Sequence, residues 1–198
     1  ALKEYFVSAS MDPWIESDTQ NEFRDVERDV FELISGWEHG AILSLVELKN
    51  SLKSQPKNQS MSAAWLAAAL DLELAQAQEA MDRLMRLELL KRENGKLLPT
   101  YKNLSTTTDI PDEALKRVHK QLLEKAICAI YNQSLEERDI TGVTMAISKK
   151  DIKEAKKMIR LFRRSMCRFL EESSGDKDDV YHLGINLFSL TKTTKEGK

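Results

Sequence analysis

The chain has 198 residues, 41% hydrophobic and 31% charged, with 30 bases against 32 acids. These proportions exclude long disorder and fit one or two small globular domains. No apolar run approaches the roughly 18 residues of a membrane span and no signal-peptide layout is present, so a cytoplasmic protein without membrane contact is expected.

Residues 1–21 are expected to be an N-terminal tail or linker. ALKEYF at the start has the character of a helix end, which points to a fragment of a longer chain, and the Asp12-Pro13-Trp14 and Ser17-Asp18 steps suit a linker. Over residues 22–48 one amphipathic helix is expected, with Phe23, Val26, Val30, Leu33 or Ile34, Trp37, Ala41, Leu45 and Leu48 on a broad apolar face. Gly36 and Gly40 weaken it and mark a kink or a close helix contact. Trp37 is expected in the core, and His39, with no second ligand at metal spacing, in a structural hydrogen bond. Residues 49–60 are polar and join this helix to the next unit.

Residues 62–99 carry the strongest local signals. Ser62 can cap a helix bearing Trp65, Leu66, Ala69 and Leu70. Asp71-Leu72-Glu73 then turns the chain into a second helix with apolar positions at Leu74, Ala77, Ala80 or Met81, Leu84 and Leu87. Asn94-Gly95 between two apolar-flanked runs is a hairpin signal, because both residues tolerate positive φ. Helix, turn, helix and hairpin form the pattern of a winged helix-turn-helix domain, placed at residues 22–100.

Such a domain reads DNA or docks proteins, and charge bears on the choice. The second helix carries Glu73, Glu79, Asp82 and Glu88 against Arg83 and Arg86. Gln76 and Gln78 are its candidates for base-edge contact, with Arg83 beside them, and Lys91, Arg92 and Lys96 on the hairpin are candidates for phosphate.

Beyond it, the hydroxyls of Ser105–Thr108 suit capping or a turn ahead of a helix at residues 112–131. Residues 139–147 and 180–190 alternate at period two and are expected to be strands flanking a long helix at 149–172. Strand, helix, strand is one crossover unit within an α+β domain at 101–192, and two strands make a poor sheet alone, so another copy of the chain or the helix backs must complete it. A disordered tail is expected at 193–198. Cys128 and Cys167 fall in helical apolar patterns and are expected as free core thiols.

Nine bases crowd residues 149–168 against Asp151 and Glu154 alone. Lys153, Lys156, Lys157, Arg160, Arg163 and Arg164 are the candidates there for phosphate contact. A face so one-sided calls for acids nearby, whether within this chain, on a dimer mate, on DNA or on an acidic partner protein. No catalytic, cofactor or metal constellation is present: the three histidines are far apart, and no nucleophile elbow, phosphate loop or zinc spacing occurs. No enzyme activity, cofactor or metal is therefore expected.

Several stretches also carry a resemblance: ISGWEHGAIL at 34–43, RLMRLELL at 83–90, TTTDIP at 106–111, HKQLL at 119–123, VTMAI at 143–147, EAKKMIRLFRR at 154–164, VYHL at 180–183 and NLFSLTK at 186–192. In this order they resemble a bacterial family classed as transcriptional regulators, whose members usually begin with a phage-repressor-type helix-turn-helix and whose C-terminal domain has no assigned function. That N-terminal reader is absent from this sequence, with Leu2–Phe6 similar to its trailing edge. The chain departs from the pattern at Asp71, where glycine is common.

The fold class expected is thus α+β, mainly helical: a winged helix-turn-helix, then a helix and a strand-helix-strand unit. Two functions stand beside each other. One is a regulator-like protein whose fragment dimerises and contacts duplex DNA; the other is a protein-interaction adaptor that uses a winged fold without binding DNA.

Overall fold

The computed structural model describes residues 23–26, 28–48, 61–94, 96–100, 103–106, 113–172 and 176–191. They are mainly helical. In chain order they form β1 (Phe23–Val26), α1 (Arg28–Leu33), α2 (Trp37–Leu45), α3 (Ala63–Leu70), α4 (Leu74–Arg86), β2 (Leu90–Glu93), β3 (Lys96–Pro99), β4 (Asn103–Thr106), α5 (Glu113–Asn132) and, after a 3-10 turn at Lys149–Asp151, α6 (Ile152–Glu171). The tail, linker and loop expected at 1–21, 49–60 and 193–198 lie outside the described residues.

The chain divides into two units. The described residues of the first lie in 23–144 and 176–180, and those of the second in 145–172 and 181–191. The first unit contains the core. Its α4 buries Ala77, Ala80, Met81 and Leu84, spaced as one helical face requires. These meet Ile42, Leu43 and Leu45 of α2, Leu66 and Ala67 of α3, and Leu90 and Leu97 of the hairpin. Ile42, Leu66, Leu84, Leu90 and Leu97 are almost wholly withdrawn from solvent.

Local chemistry explains each joint here. The hydroxyl of Ser62 accepts a hydrogen bond from Trp65 N at 3.3 Å and starts α3. Asp71 ends it in the left-handed region, φ 52° and ψ 55°. An aspartate thus takes the conformation for which glycine is the usual choice, at a modest cost. β2 and β3 pair antiparallel from Leu90↔Pro99 to Glu93↔Lys96, with Asn94 at φ 49° in the turn. Thr100 closes the hairpin base: its hydroxyl donates to Glu88 O at 2.7 Å and its N–H to Leu89 O at 3.0 Å.

Four expectations need correction. Residues 22–48 are not one helix. β1 pairs in parallel with β4 from Phe23↔Asn103 to Val26↔Thr106, so Ser105 and Thr106 are strand residues. The chain then breaks at 34–36 between α1 and α2, where Gly36 is extended at the N-cap. The apolar spacing runs through this break because both helices turn the same side to one core.

Second, α5, expected to open the second domain, packs on α1 and α2 and belongs to the first unit. Trp37 N donates to Gln121 Oε1 at 3.1 Å, Arg117 donates to the buried Ser35 hydroxyl at 3.2 Å, and Lys125 Nζ stands 3.9 Å from the Trp37 ring centroid. These contacts also hold the break at 34–36 in place.

Third, residues 139–147 and 180–190 form no strand pair among the described residues. Period-two alternation gives a segment its two faces but supplies no neighbour for its backbone. Among the described residues the strand-helix-strand unit is therefore a helix flanked by segments outside any strand pair. Fourth, Cys128 is exposed on α5 rather than in the core, and Cys167 on α6 is half-buried. A Cβ on Gly40 would meet nothing within 4 Å, so that glycine marks no close helix contact.

Candidate nucleic-acid interface

The candidate residues fall on two surfaces, one in each unit. On the first, α4 and the hairpin present Gln76, Gln78, Arg83, Lys91, Arg92 and Lys96. The start of α4 leaves backbone N–H groups to be satisfied, and the chain does so with its own side chains. Glu73 and Gln76 form a capping box, in which Glu73 N donates to Gln76 Oε1 at 3.2 Å. Gln78 Nε2 donates to Asp82 Oδ1 at 2.9 Å, one turn on.

Arg83 is tied more firmly. It pairs with Glu79 along the helix and donates through Nη1 to Leu33 O at 3.1 Å, satisfying a carbonyl at the end of α1. The two side chains proposed for base edges, and Arg83 beside them, are thus each engaged within the protein.

The hairpin is more open. Lys91 pairs with Glu93 at 2.8 Å on the same strand, and Lys96 stands opposite Glu93 in the ladder. Lys91 and Arg92 join Met85, Leu87, Glu88, Leu90 and Thr100 around a groove of 540 Å³ between the end of α4 and the strands. Its lining mixes these charged and polar groups with the apolar Met85, Leu87 and Leu90.

Behind this surface lies His39, 2% exposed on α2. Its Nδ1 donates to Gly36 O at 3.2 Å, the structural hydrogen bond expected for it, and Glu38 lies 3.4 Å from the same nitrogen. Nε2 is buried without a partner. Burial dominates and holds the pKa of His39 below its ordinary value of 6.5 against the opposing pull of Glu38. The ring is therefore neutral at pH 7, as a structural residue behind a cation-bearing surface should be.

On the second unit, α6 carries the remaining candidates. Lys153, Lys156, Lys157, Arg163 and Arg164 are exposed and Arg160 is half-buried. Lys157 meets Glu154 at 3.5 Å one turn away, a solvent-exposed pair of small energetic weight. The apolar stripe of the same helix contributes no buried residue. Burial and then Glu171 push the Cys167 thiol above its ordinary pKa, so it stays protonated and unreactive at neutral pH.

Sequence reasoning did not single out Gln121, Arg117 or Lys125, because their partners lie more than 80 residues away. The capping role of Gln76 was readable, since an acid followed three residues later by glutamine is a helix-start signature. No group of three or more potential metal ligands occurs among the described residues. No helix among them is long and apolar enough to cross a membrane.

Fold and surface together define a mainly helical α+β domain with a helix pair, a basic hairpin and a separate cationic helix. Residues 17–190 match the family described as Domain of unknown function (DUF4423), and the chain belongs to that family. No curated protein and no solved structure matches it.

Proposed function

We propose that this domain is the body of a transcriptional regulator, a winged helix-turn-helix unit joined to a cationic helix, which dimerises and holds duplex DNA by its phosphates without reading bases through α4. The observation that carries this reading is the density of like charge along α6, where Lys153, Lys156, Lys157, Arg163 and Arg164 are exposed and Arg160 is half-buried. Gln76, Gln78 and Arg83 on α4 hydrogen-bond within the protein, on a helix that also carries Glu79 and Asp82. Phosphate contacts position a protein on DNA and carry no sequence information. The resemblance to regulators that begin with a separate helix-turn-helix fits this division of labour.

Binding to mixed-sequence duplex DNA across a salt series tests it. The expected result is sequence-indifferent binding whose logarithm falls linearly with that of salt concentration. Charge reversal by Lys156→Glu, Arg160→Glu and Arg163→Glu should flatten that slope by about 0.9 for each lost phosphate contact, and by more where the new charge repels DNA. Absence of binding at 50 mM salt overturns the DNA element.

One observation favours the adaptor instead. Along α4 the exposed acids Glu79 and Asp82 share the helix with Leu74, 58% exposed, and Met85, 36% exposed. Acids around apolar anchors suit a basic, apolar partner segment better than a phosphate backbone. In that case duplex DNA does not bind and Leu74→Asp abolishes partner capture.

A further inference from the structure

The second unit holds a problem that its described residues do not solve. None of its described residues is buried. Yet α6 carries Ile152, Ala155, Ile159, Phe162, Met166 and Phe169 at alternating three- and four-residue steps, with Phe162 46% and Phe169 68% exposed. A helix of this type draws its stability from whatever its stripe packs against. Residues 181–190, meanwhile, alternate like a strand but have no strand partner among the described residues. An apolar edge of that length is a template for another strand.

The segment itself indicates which strand. Around Gly184 the pattern of residue types is symmetric: Leu183 and Ile185 flank it, then His182 and Asn186, then Tyr181 and Leu187. Laid antiparallel with Gly184 opposite Gly184, two copies set Leu183 against Ile185 and Tyr181 against Leu187 on one face, and His182 against Asn186 on the other. A slip of one residue puts apolar side chains opposite polar ones and faces them to the wrong side.

We propose that residues 181–187 form the central strand pair of a homodimer, with the two-fold axis through Gly184 and the apolar stripes of both α6 helices packed on the shared sheet. The proposal rests on the dimer element of the function proposed above and is independent of its DNA element.

Two further observations fit a second copy. Residues 149–160 hold six bases and two acids, whereas α6 ends on Glu171 and Glu172. A two-fold axis that makes the strands antiparallel makes the helices antiparallel too, which brings the basic start of each toward the acidic end of the other. Area agrees as well. The twelve exposed large apolar side chains from Met145 to Leu190 are 37–72% exposed. They offer on the order of 1,000 Å² per copy, against the ~800 Å² that each partner gives to a standard interface.

Cysteine coupling in the full chain, with Cys128 and Cys167 replaced by serine, tests the register. Gly184→Cys places two thiols on the axis, at a Cα separation of roughly 4.5–5.5 Å that a disulfide can span. A Cβ at this position meets only the His182 ring, at 3.2 Å, and needs a shift of a few tenths of an ångström there. Under mild oxidation Gly184→Cys should give a covalent dimer. Tyr181→Cys alone should not, since its copies lie about 20 Å apart, but the double variant Tyr181→Cys with Leu187→Cys should.

If neither Gly184→Cys nor the double variant couples, or if Tyr181→Cys couples as well as they do, the strand pair is overturned. Light scattering of the unsubstituted protein should give twice the chain mass of 22.7 kDa. A monomer overturns the strand pair and the dimer element together. A dimer without Gly184→Cys or double-variant coupling overturns the strand pair alone, and the salt series judges the DNA element separately.

Discussion

The two units of this chain are built from similar material and reach opposite ends. Every buried apolar residue among those described belongs to the first, where α2, α3, α4 and the hairpin close around Leu66 and Leu84. The second has an equally amphipathic helix and strand-like flanks, and none of its described residues is buried. Patterning specifies which side of an element must be covered, and only a neighbour covers it. The first unit contains its neighbours, and the described residues of the second leave their apolar surface open.

The sharpest way to press this contrast is truncation of one apolar side chain in each unit. Leu84→Ala should destabilise the first unit by about 3–5 kcal/mol, since it empties a fully enclosed site. Phe169→Ala, already 68% exposed, should cost less than about 1 kcal/mol in dilute protein. Urea melts of both variants, followed by circular dichroism, check this, and equal losses would erase the distinction. Arg83→Ala should cost about 0.5–1.5 kcal/mol, because Leu33 O exchanges a charged donor for water. Its affinity for DNA at fixed salt should stay unchanged, which separates a stabilising arginine from a reading one.

The acid response of the first unit follows from His39. Its folded pKa lies below the unfolded value, so the unfolded chain takes up the proton first. Stability is complete above about pH 6.5 and falls as pH drops from there through the folded pKa. His39→Gln should flatten that fall, as melts at a series of pH values would show. Asp71→Gly should raise stability by about 0.5 kcal/mol, through relief of the left-handed strain at φ 52°. The smallest effect is expected for Lys91→Ala, whose exposed pair with Glu93 is worth under about 0.5 kcal/mol.

What could be read in advance follows the range of the forces involved. Ser62, the α4 period and Asn94-Gly95 act within a few residues, and the helix pair and hairpin stand where those signals put them. The break at 34–36 is set by Arg117 and Gln121 reaching in from α5, and no local pattern announces them. The β1–β4 pair joins segments 80 residues apart, for the same reason. At the candidate surface, the residue types were visible but their engagements were not. Arg83 looks like any helix arginine until the end of α1 is placed beside it.

The position of Lys125 over Trp37 also makes the first unit optically legible. The ammonium lays a fixed electric field across one indole of the chain, at the seam where α5 meets α2. The emission colour of Trp37 is thereby coupled to the presence of α5. If α5 lifted away, the spectrum would report it before any helix was lost, and Lys125→Met would give the reference spectrum without the field.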